Sequence, residues 1–134
     1  MTVTRPLPRS RLDGDDHHIA ERFRALDEPR RRRLACALVR EAVAEVRVTL
    51  PPVILGLLGT AGIATPAQLA DLDRRAASSG GSLADADFRR ARIVAAARYA
   101  LSPQPRAPEE ALYEALHARA SFSGALDELR HQLD

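Results

Sequence analysis

"DEPRRRRLACALVREAVAEV", residues 27–46, sets four consecutive arginines in front of a run of Ala, Leu and Val. Asp27, Glu28 and Pro29 open it as a helix: Pro is tolerated in a first turn, and acids there favour the helix dipole and pair with Arg31 and Arg32 one turn on. At about 100° per residue, Leu34, Leu38, Val39, Ala42, Val43, Val46 and Leu50 cover half of the wheel. Arg33, Arg40 and Arg47 recur every seven residues on the other half. The arginine run therefore divides. Arg30 and Arg33 belong to the solvated face, while Arg31 and Arg32 flank the apolar one with their stems laid along it.

The same period recurs on both sides of this stretch. Upstream, Asp15 and Asp16 precede Ile19, Phe23 and Leu26, a short amphipathic helix with acids at its cap. Downstream, Pro51 and Pro52 interrupt, and "VILGLLG" reads as a short buried helix or turn in a central position. Thr65-Pro66-Ala67-Gln68 combines a capping Thr, an early Pro and a Gln three residues on, with Leu69, Leu72 and Ala76 inward. After a flexible connector, "SSGGS" at 78–82, residues 85–101 form a helix apolar around much of its wheel, with Phe88, Ile93, Val94, Tyr99 and Leu101, as expected of a central element. A Pro-rich extended linker at 102–108 leads to a helix with Leu112 and Leu116 inward, and the last helix carries Phe122, Leu126, Leu129 and Leu133. The expected fold is all-α, a single compact bundle of six or seven helices over residues 15–134, behind a disordered arm at 1–14. "VRVTL" at 46–50 is the one candidate strand.

Composition narrows the function classes. At 134 residues the chain suits one domain with its own core. Every basic residue is Arg, and Lys, Asn and Trp are absent, as codon bias in a GC-rich bacterial genome would produce. Arginine counts therefore overstate any phosphate-binding signal. The net charge is only +2. Residues 1–48 hold eleven Arg against eight acids and residues 107–134 two against six, short of the strongly basic balance of nucleic-acid binders. Cys36 stands alone, which excludes an internal disulfide and points to a reducing, cytoplasmic compartment. The apolar window Leu50–Ala64 is shorter than the ~20 residues of a membrane span, and the N-terminus lacks a secretory apolar region.

Catalytic and metal motifs are missing. No G-x-S-x-G elbow, HExxH or Cys-His-Asn signature occurs. Gly56, Gly59 and Gly62 lack the Lys-Ser/Thr end of a phosphate loop. Asp71 with Asp73, and Asp85 with Asp87, point to different helix sides. "DGDDHH" at 13–18, with Glu21 one turn beyond His17, is the nearest approach to a metal cluster, but adjacent His17 and His18 cannot both face one site. Cys36, within "LACAL", suits a buried apolar role better than a nucleophile's.

One segment resembles a family. "FRALDEPRRRRLACAL", residues 23–38, is similar to the first stretch of winged-helix repressors of the ArsR type, through Phe23, Ala25, Leu26, Glu28, Pro29, Arg31, Arg32 and Leu38. The resemblance implies a scaffold helix here and a DNA-reading helix later, rich in Ser, Thr, Gln, Arg and His. "LPPVILGLLGTAGIAT", at the corresponding place, offers only threonines as polar contacts, and no basic wing hairpin follows. The expectation is thus a non-enzymatic helical protein acting by protein–protein interaction, with no metal or cofactor, as an adaptor, an immunity or antitoxin-like protein, or a regulatory subunit. Arg33, Arg40 and Arg47 would clamp carboxylates on an acidic partner, and a homodimer is one form such a protein can take. A divergent ArsR-like helix-turn-helix regulator is the alternative.

Overall fold

A computed structural model describes residues 10–79 and 85–134. Its helices are α1 (Arg11–Asp15), α2 (His17–Arg24), α3 (Glu28–Val46), α4 (Pro52–Thr60), α5 (Pro66–Ser79), α6 (Asp85–Ala100), α7 (Ala107–Ala118) and α8 (Phe122–Leu133). The all-α expectation holds, and the described residues contain no strand. The described residues form eight helices, not six or seven.

The additional helix is α1, formed from the end of the stretch expected to be a disordered arm. The Ser10 amide donates to Asp13 Oδ2 at 3.1 Å, and Leu12 is fully buried. A buried leucine contributes about 1.5–3 kcal/mol toward holding this short turn against the bundle. Packing among the described residues therefore reaches back to Ser10; residues 1–9 of the expected arm lie outside the described residues. So does most of the connector at 78–82, since α5 runs to Ser79.

Helix starts follow local chemistry. Asp16 caps α2 by accepting from the Ile19 amide, and Asp27 caps α3 by accepting from the Arg30 amide. Thr65 and Gln68 form the reciprocal capping box: Gln68 N donates to Thr65 Oγ1 at 3.2 Å, and Thr65 N to Gln68 Oε1 at 2.8 Å. The α3 helix stops at Arg47, which takes the left-handed conformation at φ 59°, so "VRVTL" is a helix end and a loop. Ala61 ends α4 in the same way. The linker at 102–108 turns tightly, with Ala107 N donating to Gln104 O, and is not extended throughout.

The centre of the bundle is α6, packed against α5, α7 and α3, with Ile93, Val94, Ala96, Ala97, Ala100 and Leu101 buried. Small alanines let neighbouring helices approach it from several sides. Phe88 is the exception among its expected core residues: it is 53% exposed and lies under the Arg92 guanidinium at 4.9 Å. The α4 helix also departs from expectation. It lies against α3 and α6 through Ile54 and Leu58, spaced i, i+4, while Val53 and Leu55 face solvent. A nine-residue helix with neighbours on one side buries one stripe, so α4 is peripheral.

Candidate partner-binding surface

The buried face of α3 comprises Arg32, Ala35, Cys36, Leu38, Val39 and Ala42. Arg32 does not reach back to water. Its guanidinium donates to the carbonyls of Ser102 at 2.7 Å and Ala100 at 3.4 Å, closing the C-terminal end of α6 where a positive charge is favoured. Arg31 donates to the carbonyls of Arg24 and Leu26, pinning the turn between α2 and α3. Residues 23–38 are thus packed into the bundle: Phe23 and Leu38 are buried, and Arg31 and Arg32 tie down backbone.

Arg33, Arg40 and Arg47 are exposed, and none forms an ion pair among the described residues. The acids of the same helix are engaged elsewhere. Glu41 and Glu45 turn to Arg119 at 3.6 and 3.0 Å, and Glu28 meets Arg32 at 3.4 Å. Arg33 and Arg40 keep the helical register, about 10 Å apart along the axis. Arg33 borders a cleft with Thr60 and Ala61, which shows that α4 returns alongside α3. Arg47 leaves the register because its backbone is left-handed. Its side chain borders a different cleft, shared with Arg74, Arg75 and Arg90.

Those last three arginines escape a reading of the sequence. Each belongs to an Arg-Arg pair, at 74–75 and 89–90, but only the packing of α5 on α6 brings them to Arg47. On α4 and the loop that follows it, Val53, Leu55 and Ile63 are exposed.

Around α1, α2, α7 and α8, several arginines and one histidine pair with acids from other helices. Arg24 bridges Asp13 at 2.6 Å and Glu109 at 2.7 Å, joining α1, α2 and α7. These bonds, first to Glu109 and then to Asp13, raise the Arg24 pKa above its ordinary value. Arg11 reaches Glu110 and Glu114, His117 meets Asp15 at 2.7 Å, and Arg130 meets Asp16 at 3.1 Å.

The candidate metal residues are arranged differently from a ligand set. His17 places Nδ1 on Asp13 at 3.2 Å and Nε2 on Glu21 at 3.0 Å, so both ring nitrogens meet carboxylates, while His18 is exposed. Among the described residues no three His, Cys, Asp or Glu side chains stand together as metal ligands. Cys36 is buried, and burial pushes its thiol up to about 11 against the opposing influence of Arg32 and Arg40. It is therefore a thiol at neutral pH and lacks the thiolate character of a nucleophile. No helix among the described residues is long and apolar enough to cross a membrane. No family model, curated protein or solved structure matches this chain, so the ArsR-type likeness stays a likeness of one segment.

Proposed function

We propose that the protein is a non-enzymatic helical binding protein that engages an acidic partner protein through the exposed face of α3. The observation that carries this reading is the sorting of charge on that helix. Glu41 and Glu45 are drawn to Arg119, and Arg33, Arg40 and Arg47 are left without carboxylates among the described residues. A guanidinium held on a rigid helix forms paired hydrogen bonds with a carboxylate at little conformational cost.

The helix-turn-helix alternative draws on the segment at 23–38 and on the succession of α4 and α5. It is weakened by what α5 offers at its start: Pro66, Ala67 and Ala70 are exposed, and Gln68 is engaged in the capping box. Such a surface lacks the donors and acceptors that read base edges.

The test uses the wild-type chain and an R33E/R40E/R47E variant as baits in the native host. The expected result is an acidic protein retained by the wild type and lost by the variant, with unchanged helical circular dichroism. Retention by both would reduce the stripe to a solvated face. A mobility shift of genomic DNA that weakens steeply with salt would favour the regulator instead.

A further inference from the structure

We infer that the cleft at the junction of α3, α5 and α6 is a binding site for a small phosphorylated ligand. Arg47, Arg74, Arg75 and Arg90 border it together with Thr49 and Ser78, around a volume of about 520 Å³. Among the described residues no carboxylate shares this lining, whereas the clefts beside Arg24, Arg33 and Arg119 each include a glutamate. Its basic character is therefore local, in a chain of net charge only +2.

The arginines are available. Arg47 forms no ion pair among the described residues. Arg75 gives Nε to Asp71 at 2.8 Å, Arg74 one terminal nitrogen to the same carboxylate at 3.4 Å, and Arg90 one to Asp87 at 3.0 Å. These are solvent-exposed pairs between near neighbours in one helix, which are weak and readily exchanged. Each guanidinium keeps further N–H donors for a ligand.

The number of donors selects the ligand class. One carboxylate accepts one bidentate guanidinium, whereas a phosphoryl group carries close to two charges and three acceptor oxygens, and an oligophosphate carries more. Four arginines lining one cleft from three parts of the chain suit the latter. The cleft volume falls within the range of small-molecule sites and exceeds what a phosphate alone fills. Val48 and the buried Val94 give it an apolar floor against which a ring or alkyl moiety can lie. Arg33 and Arg40 are not part of this lining, whereas Arg47 is shared with the proposed protein interface, so an R33Q/R40Q variant separates the two readings.

The test titrates inorganic pyrophosphate into the full chain by calorimetry and by amide chemical-shift mapping. The expected result is saturable binding at one site, with shifts centred on Arg47, Ser78 and Arg90. An R47Q/R90Q variant should bind about tenfold more weakly or worse, as should R75Q alone, while R33Q/R40Q binds like the wild type. Unsaturable binding, or equal weakening by R33Q/R40Q, would overturn the site. Citrate binding as tightly as pyrophosphate would overturn the phosphoryl class. A DNA duplex that pyrophosphate cannot displace, and that needs Arg33 and Arg40 as much as Arg47, would replace the small ligand with a polyanion.

Discussion

Arg24 and Arg40 carry the same group in opposite settings. Arg24 lies between two carboxylates whose side chains are 4% and 10% exposed, and it joins three helices. Arg40 stands on an open helix face without an ion pair among the described residues. The same contrast divides the molecule. Around α1, α2, α7 and α8 the arginines cross-link elements, through Arg11, Arg24 and Arg130, whereas Arg33 and Arg40 on α3 and Arg47 at its end face outward. In a chain without lysine, residue type says nothing about which role an arginine plays. What packs opposite it does.

The contrast is most exposed to test at Arg24. Replacing it with Met keeps the apolar stem and leaves Asp13 and Glu109 without this partner, so R24M should lose about 3 kcal/mol of unfolding free energy in urea. A loss below about 1 kcal/mol would place Arg24 with the surface pairs and dissolve the distinction.

A smaller effect is expected where the cross-link is half open. The Asp16 carboxyl is held below its ordinary 3.8, first by the Ile19 amide and then by Arg130. The folded state therefore ionises at lower pH than the unfolded one, and between those values the unfolded chain binds more protons. The contribution is complete above 3.8 and fades as pH falls through the folded value. D16N preserves a good cap and removes only the charge. Urea unfolding should show the wild type ahead by about 1 kcal/mol or less at neutral pH, with the gap closing in acid. The absence of any gap at neutral pH would mean that Asp16 contributes as a cap alone.

The smallest effect belongs to the other end of the comparison. R40Q should change stability by no more than about 0.5 kcal/mol, as for a solvated helix position without partners. A larger loss in thermal or urea unfolding would reveal a structural contact for Arg40 and remove it from the proposed interface.

The legible parts of the fold were those with local causes. Thr65 and Gln68, Asp16 and Asp27 mark helix starts because a cap needs only residues a few positions apart. The inward faces of α3, α7 and α8 follow from spacing. The central place of α6 was also readable, because alanine and aliphatic residues all round a helix admit neighbours on several sides. The misplacement of α4 shows the limit: an apolar sequence states how much a helix can bury, and the number of neighbours sets how much it does bury. Phe88 repeats the lesson at one residue. The early helix α1 stayed hidden for the same reason, since its five residues are held by Arg24 and by core contacts far along the chain.

For the candidate surfaces, the heptad spacing identified Arg33 and Arg40 as partners on one helix face, and it joined Arg47 to them by counting alone. Arg47 turns away because the backbone is left-handed there. Its meeting with Arg74, Arg75 and Arg90 depends on how α5 lies against α6, a contact between residues remote in sequence. By itself the sequence determined an all-helical chain, its caps and its apolar stripes, since these depend on neighbours within a few residues. Only the tertiary structure decided which arginines are buried cross-links and which stay open to a ligand, since the partner that neutralises a charge is chosen by packing.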